Sequence, residues 1–397
     1  MKRAIVLAGL LLCLAAPPAS AQPASPEEQA AAIARPAIVF VETRWHGWVR
    51  DRRTGEVFGG AEGYRFTTSC SGAVINGDGY VSTASHCVDP GVDGGGGGLI
   101  DMAVAELAAV GRVRDPALAA QQLAENATLE GATEGSPIGR DIQVQRGTGN
   151  KDRDVAPARV VDLAPPTEGD VALLKVPRRG LPAIELVTGD VAVGTPVLAI
   201  GYPGSTGEAT DPTLEPSSKN GQVSNQRSQD GHPFYEISAA VTHGMSGGPV
   251  VDMRGRIIGV VSQLSPGETQ SFNLAASAET LAGLLRDANV DDALGPNDRN
   301  YRTGLSAYFS DDYDRAVEYL DAVLDAAPGH PQASRYRTLA VEQGGAASGN
   351  GVLVVLAVVC AAVALLAGAG GIALMARRRR AFMAAPTPPY GIPIPRV

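Results

Sequence analysis

The sequence predicts a mainly β domain, followed by a small helical unit and one membrane-spanning helix. Short apolar runs rich in β-branched residues, such as residues 37–43 and 171–176, are bounded by turn residues and indicate strands. Residues 297–342 change to a composition that favours helix, and residues 352–375 form an unbroken apolar run. A chain of 397 residues can hold a large β domain and one smaller unit.

The N-terminus has the pattern of a secretory signal peptide. Two basic residues come near the start, residues 4–16 are apolar, and the small residues 19–21 complete a cleavage site. A lipoprotein signal through Cys13 fits less well, because the bulky Leu12 precedes this cysteine where a small residue is needed. We therefore expect residues 1–21 to be a signal peptide and the chain to be exported.

The exported part of the chain is strongly acidic. The whole sequence carries 33 basic and 42 acidic residues, and seven of the basic ones lie in the signal and the C-terminal tail, which contain no acid. The remainder has a net charge of about −16. Such a surface repels phosphate backbones, so nucleic acid is excluded as the partner.

The predicted β domain covers residues 36–292 and contains one long insertion. A helical lead-in, residues 22–35, precedes the domain. The insertion, about residues 91–150, opens with a glycine-rich stretch that predicts a flexible hinge, and then favours helix over residues 102–110 and 116–126. It either gates a neighbouring site or is merely tolerated on the surface.

The segment that points most directly to chemistry is residues 242–249, Thr-His-Gly-Met-Ser-Gly-Gly-Pro. Glycines on both sides of Ser246 let the backbone turn sharply and direct successive N–H groups at one point. Ser246 could attack a carbonyl there, while its own N–H and that of Gly244 hold the oxyanion. A Gly/Ser cluster is by itself more often an ordinary loop, so the assignment needs partners for the serine.

A base and an orienting acid for the serine occur upstream. His86 ends a strand-like run, residues 80–88, where a rigid scaffold could aim its imidazole. Asp170 directly precedes a short apolar run and could orient that imidazole, although an aspartate after glycine also commonly caps a turn. The remaining histidines lie in polar or Pro-rich surroundings, or, for His243, too close to Ser246 along the chain.

Several segments together resemble the trypsin-like serine peptidases, and especially their bacterial HtrA-like branch. They are residues 70–80, 85–88, 169–176, 198–204, 221–224 and 244–251. The order His, Asp, Ser also agrees with that family, since unrelated hydrolase folds carry the trio in other orders. The resemblance extends over about residues 36–288. It implies two antiparallel β-barrels of the chymotrypsin type, with His86 and Asp170 in the first, Ser246 in the second, and an oxyanion hole at Gly244 and Ser246.

Two departures from trypsin itself change the expected properties. Met245 stands where trypsin has the aspartate that pairs with a freed N-terminus, so activation by N-terminal cleavage is not expected. Ala240 stands where trypsin has the aspartate of its specificity pocket, which predicts a pocket for small or medium apolar side chains. The resemblance also implies substrate-backbone contacts at Val261, Ser262 and Gln263. HtrA enzymes usually carry a PDZ domain after the protease, and the sequence predicts no such segment here.

Two cysteines are candidates for a disulfide bond. Cys13 leaves with the signal and Cys360 lies in the apolar run, so Cys70 and Cys87 remain. Export lets them pair, and closing this loop would stabilise the fold by about 3 kcal/mol. The bond would match the one beside the histidine in trypsin-like enzymes; free thiols are the alternative if the protein stays inside the cell. We expect the two cysteines to lie too far from other ligands to form a zinc site, so neither a metal nor an organic cofactor is predicted.

Residues 296–343 predict two helical stretches that resemble one tetratricopeptide unit. Gly304, Ala316 and Pro328 have the spacing of such a repeat. A single unit is seldom stable alone, so a helical hairpin packed on the β domain, or a spacer, is the favoured alternative.

The C-terminal part predicts a membrane anchor. Residues 344–351 have the composition of a flexible linker, and residues 352–375 would be about 36 Å long as a helix, enough to cross a bilayer. Four arginines follow directly, which places the Pro-rich tail, residues 376–397, in the cytoplasm.

These features together predict a single-pass, membrane-anchored serine endopeptidase that acts on protein or peptide substrates outside the cytoplasm. One alternative is a catalytically silent protease fold that binds or senses peptides. A hydrolase of small esters would use the same three residues, but a strand that pairs with peptide backbone disfavours it.

Overall fold

Two six-stranded antiparallel barrels form the centre of the structure. The computed structural model describes residues 24–147, 153–204, 215–264 and 273–346. The prediction of a mainly β domain with two barrels is confirmed.

The first barrel has the strand order β1-β3-β4-β8-β7-β6 and closes where β6 pairs with β1. Its strands and their extensions are β1 Ile38–Asp51, β2 Val57–Phe58, β3 Tyr64–Val74, β4 Tyr80–Thr83, β5 Ala127–Glu130, β6 Gly139–Gly147, β7 Arg153–Ala164 and β8 Val171–Lys175. Strand β1 is 14 residues long, so its second half continues beyond the barrel and pairs with β2 and β5.

The second barrel is closed in the order β10-β11-β14-β13-β12-β9. Its strands are β9 Pro196–Gly201, β10 Ser217–Gln229, β11 His232–Ile237, β12 Pro249–Val251, β13 Ile257–Leu264 and β14 Asn273–Ser277. Valine, isoleucine and alanine side chains fill its interior, as expected for β-branched residues on the inward face of a small barrel.

The insertion forms a packed helical unit with its own apolar core. Its helices are α2 Gly95–Ala109 and α3 Pro116–Asn126, and they cover the extended end of β1 and β3. The predicted hinge is wrong for residues 95–98, which form the first turn of α2. A Cβ added at Gly95 would lie 2.4 Å from Trp45, and one at Gly98 would lie 2.3 Å from Phe66. The glycines therefore allow close approach of helix and sheet.

The insertion is also shorter than predicted. Strand β6 lies inside the predicted insertion of about residues 91–150, yet it closes the first barrel. The extra elements therefore end before Gly139.

A helical unit packs beside the barrels, together with the lead-in helix. The remaining helices are α1 Pro26–Ala34, α4 Ala278–Asp287, α5 Pro296–Phe309, α6 Tyr313–Ala326 and α7 Pro331–Glu342. The Tyr301 hydroxyl donates to the Ala32 carbonyl at 2.8 Å, and Asp298 accepts from the Ala183 N–H at 2.9 Å. The region between residues 296 and 343 thus forms three helices where two were predicted. Their docking agrees with a helical unit packed on the β domain, and the tetratricopeptide interpretation stays a prediction.

The predicted signal peptide, the membrane segment 352–375 and the tail lie outside the described residues. Within the described ranges, no helix has the length and apolar character needed to cross a membrane.

Candidate active site

The loop that carries Ser246 is held between the two barrels. We call residues 242–248, which precede β12, the nucleophile loop. On one side the Ser71 N–H of β3 donates to the Ser246 carbonyl at 2.7 Å, and the Ser71 hydroxyl donates to the Gly244 carbonyl at 2.8 Å. On the other side the Gly247 N–H donates to the Val261 carbonyl of β13 at 2.7 Å. These hydrogen bonds place Ser246 at the boundary between the barrels.

His86 and Asp170 form a direct pair in the first barrel. His86 lies in a 3-10 turn after β4, and Asp170 directly precedes β8, which pairs with β4. The His86 Nδ1 lies 2.8 Å from the Asp170 Oδ2, and the His86 backbone N–H donates to Oδ1 at 3.0 Å. The carboxylate thus determines both the position of the residue and the orientation of its ring.

Two serine hydroxyls complete the hydrogen bonds of Asp170, whose side chain is fully buried. The Ser85 hydroxyl donates to Oδ1 at 2.9 Å, and the Ser262 hydroxyl makes a short hydrogen bond to Oδ2. Sequence reasoning missed the Ser85 contact, for which adjacency to His86 was the available signal. The Ser262 contact joins strands of different barrels, and no local pattern indicates it.

The pKa values of His86 and Asp170 are shifted in opposite directions. Burial opposes protonation of His86, but its hydrogen bond to Asp170 and the carboxylate charge outweigh burial and raise the pKa of the imidazole above 6.5. Burial alone would raise the pKa of Asp170, but its hydrogen bonds and the adjacent imidazole lower that pKa below the ordinary value. An ionised carboxylate therefore favours an imidazole that readily takes up a proton.

The Ser246 hydroxyl is not bonded to the imidazole in this conformation. It donates to the Ser262 carbonyl at 3.4 Å, a long hydrogen bond, and no hydrogen bond to His86 exists among the described residues. A Cβ added at Gly247 would lie 2.6 Å from the Ala84 backbone nitrogen, so the nucleophile loop directly adjoins the turn that carries His86. The structure therefore brings the loop and the His86–Asp170 pair together.

The backbone N–H groups of Gly244 and Ser246 donate to no acceptor within the described ranges. Gly244 has a φ of +90°, and an added Cβ would lie 2.5 Å from the Tyr202 carbonyl oxygen. Only glycine fits there. Met245, between the two, is fully buried in the core of the second barrel.

The predicted substrate contacts are placed in different surroundings. Ala240 is exposed, whereas Val261 is buried in the second barrel, and its backbone N–H and carbonyl bond Gly248 and Gly247. The Val261 backbone therefore supports the nucleophile loop. The Ser262 side chain is turned to Asp170, and the Gln263 side chain lies outside what the structure describes.

The predicted disulfide bond between Cys70 and Cys87 is confirmed, with their Cα atoms 6.3 Å apart. Contrary to the prediction, these cysteines do not lie far from every other possible metal ligand, because the two sulfurs and an imidazole nitrogen of His86 all lie within 4.8 Å of one another. Both sulfurs are bonded to each other, so they do not offer thiolates to a metal.

Two antiparallel barrels with a serine, a histidine and an aspartate at their boundary define the class of the chymotrypsin-type serine peptidase folds. Residues 70–260 match the family model of the trypsin-like peptidase domain.

Individual proteins are similar to this chain over part of its length. A probable periplasmic DegP-like serine endoprotease of Ectopseudomonas mendocina (strain ymp) is 34% identical over 114 residues, which are 28% of this chain and 23% of that protein. A protein of the same description from Pseudomonas putida (strain GB-1) is 35% identical over 114 residues, with the same coverage. The chain thus matches about a quarter of the length of these relatives. The solved HtrA-type protease AlgW with a decapeptide is 20% identical and covers 66% of this chain and 67% of its own, with a TM-score of 0.41.

Proposed function

We propose that this protein is a serine endopeptidase in which Ser246 is the nucleophile, His86 the general base and Asp170 the carboxylate that orients His86. The hydrogen bond between the His86 Nδ1 and Asp170, 2.8 Å long, carries this proposal, because it leaves the Nε2 of the ring to accept a proton. The trypsin-like family model over residues 70–260 supports the same chemistry.

Catalysis proceeds through an acyl-enzyme. As the Ser246 oxygen attacks the scissile carbonyl, His86 Nε2 takes up the hydroxyl proton, and the N–H groups of Gly244 and Ser246 stabilise the oxyanion. His86 then protonates the leaving amine. Water repeats the sequence on the ester carbonyl and releases the acid.

One local movement precedes this chemistry. The Ser246 hydroxyl must leave the Ser262 carbonyl and turn toward His86. The hydrogen bond that it gives up is weak, because its two oxygens are 3.4 Å apart. The change of side-chain rotamer therefore costs little free energy.

We place the protease domain outside the cytoplasm, anchored through residues 352–375. The signal-like N-terminus and the apolar run support this location, as does the disulfide bond between Cys70 and Cys87, because such bonds persist in oxidising compartments. The curated relatives are described as periplasmic. The substrates are proteins or peptides.

Labelling with an active-serine phosphonate probe tests the proposal. The wild-type protein is expected to react covalently and to cut unfolded casein, whereas Ser246→Ala is expected to do neither and to keep its thermal unfolding temperature. Ser238→Ala, an exposed hydroxyl of the same barrel, is the matched control and should label normally. Undiminished labelling of Ser246→Ala would refute the assignment of the nucleophile. A wild-type protein that retains casein uncut would favour the peptide-binding alternative.

The pH dependence of cleavage gives a second test. His86 must be neutral to accept the serine proton, and its pKa is raised above 6.5 by Asp170. We expect kcat/KM to rise with pH, with a midpoint above 6.5, because the protonated imidazole below its pKa cannot act as a base. A midpoint below 6.5, measured at constant ionic strength, would contradict the assignment of His86 as the base.

A further inference from the structure

Ser71 contacts the nucleophile loop at two points. It lies on β3 and is fully buried at the boundary between the barrels. Its backbone N–H donates to the Ser246 carbonyl at 2.7 Å, and its hydroxyl donates to the Gly244 carbonyl at 2.8 Å. Ser71 therefore holds the carbonyl groups of the two residues whose N–H groups form the proposed oxyanion hole.

The Ser71 hydroxyl also accepts a hydrogen bond from the second barrel. The backbone N–H of Tyr202, directly after β9, donates to it at 2.8 Å, so one hydroxyl links the end of β9 to the nucleophile loop. A Cβ added at Gly201 would lie 2.7 Å from the Ser71 oxygen, so the glycine leaves room for this hydroxyl. Both hydrogen bonds are buried. Loss of the hydroxyl would therefore leave one donor and one acceptor without a partner.

The chain that follows β9 also orients the preceding peptide group of the loop. The Gly204 N–H donates to the His243 carbonyl at 2.8 Å. In a planar trans peptide group the C=O and the N–H point in opposite directions, so this hydrogen bond directs the Gly244 N–H away from Gly204. The peptide groups on both sides of the Gly244 Cα are thus held, one through Gly204 and the other through Ser71.

Gly244 does not by itself select this conformation. It has a φ of +90°, and glycine moves between backbone conformations at little cost, so contacts with the surrounding chain must fix its two peptide groups. We propose that Ser71 is a positioning residue for the oxyanion hole. Its hydroxyl, held by the Tyr202 N–H, keeps Gly244 in the conformation that presents its N–H to the oxyanion. Ser71 acts through Gly244 and not on the substrate, and its role rests on the proposed endopeptidase function.

Replacing Ser71 with Ala should lower kcat and leave KM nearly unchanged. Without the hydroxyl, the Gly244 peptide groups can rotate, and the oxyanion loses part of one donor. Complete removal of an oxyanion-hole donor costs about 10²- to 10³-fold in kcat, so we expect a loss of about 10- to 100-fold, with KM within about 2-fold of the wild-type value. The affinity for a peptidyl boronate, whose tetrahedral adduct places an oxygen in the hole, should fall by a similar factor.

Three comparisons separate this role from general packing. Ser82→Ala removes another buried hydroxyl of the first barrel, which donates to the Ala73 carbonyl at 3.4 Å, and should keep the wild-type kcat. Ser71→Thr keeps the hydroxyl and should have a kcat well above that of Ser71→Ala. The midpoint of the pH profile should not move in Ser71→Ala, because the His86–Asp170 pair is unchanged. A kcat of Ser71→Ala within about 2-fold of wild type, or an equal loss in Ser82→Ala or Ser71→Thr, would overturn the inference.

Amide hydrogen exchange tests the hold of Ser71 on the loop without catalysis. In the wild-type protein the Tyr202 and Gly204 amides are expected to exchange much more slowly than in an unstructured peptide, because both are hydrogen-bonded. In Ser71→Ala the Tyr202 amide loses its acceptor. The Gly204 amide should also exchange faster, because the His243 carbonyl is no longer held in one direction. Ser82→Ala should change neither rate.

These exchange rates distinguish failure of this inference from failure of the proposed function. If the wild-type protein proves inactive while the rates change as expected, the proposed function fails and the hold of Ser71 on the nucleophile loop stands. Unchanged exchange of the Gly204 amide in Ser71→Ala would overturn the inference. So would wild-type exchange at Tyr202 and Gly204 as fast as in an unstructured peptide, a result that does not depend on whether the variant folds.

Discussion

Replacing Asp170 with Asn is expected to lower kcat about 10⁴-fold. The carboxylate accepts the Nδ1 proton of His86 and stabilises the imidazolium that forms during attack. The Asn amide can instead donate a hydrogen bond to Nδ1. This selects the His86 tautomer that has its proton on Nε2, and that nitrogen then cannot accept the serine proton. Single-turnover kinetics on a fluorogenic peptide would measure the loss.

The same variant should shift the pH profile of the residual activity. The interactions that raise the pKa of His86 come from Asp170, so their removal is expected to move the midpoint of kcat/KM to lower pH. Asp162→Asn makes the same chemical change on β7, where the Asp162 side chain accepts a hydrogen bond from the Leu163 N–H, and should leave both kcat and the midpoint unchanged. Retention of more than a tenth of kcat in Asp170→Asn, in a protein with a normal unfolding transition, would contradict the role of Asp170.

Gly247→Ala is expected to abolish phosphonate labelling and to lower the free energy of unfolding by about 3 kcal/mol or more. Gly247 has a φ of +82°, and a Cβ there would lie 2.3 Å from both the Ser71 carbonyl oxygen and the Thr83 hydroxyl. Relief of this contact requires the nucleophile loop to move away from the first barrel. Ser246 would then move away from His86.

A glycine with similar φ but open surroundings is the matched control. Gly231 has a φ of +88° in the turn between β10 and β11, and nothing lies within 4 Å of an added Cβ. Gly231→Ala should therefore cost only the backbone strain, about 1 kcal/mol, and should label at the wild-type rate. Chemical denaturation and labelling of both variants would measure the difference. Equal losses of stability and of labelling in the two variants would contradict the role of Gly247 in close packing of the nucleophile loop on the first barrel.

The sequence by itself determined the order of the chemical groups along the chain and the type of fold. Apolar runs bounded by turn residues predicted the strands, because alternation and β-branching are local properties. The Gly-rich surroundings of Ser246 and the position of Asp170 just before a buried strand pointed to the residues that the structure places at the barrel boundary. The cysteine pair was also accessible from the sequence, because only two cysteines remain once the signal and the apolar run are set aside.

Only the tertiary structure decided which groups surround these residues. The Ser262 hydroxyl reaches Asp170 across 92 positions of sequence, and Ser71 reaches Gly244 across 173, so no local pattern could indicate either contact. The composition of residues 95–98 by itself predicts a flexible hinge. In the structure these glycines pack against Trp45 and Phe66 and form the start of a helix. Local sequence specifies backbone preference and residue chemistry, whereas contacts distant in sequence arise only when the closed barrels bring their strands together.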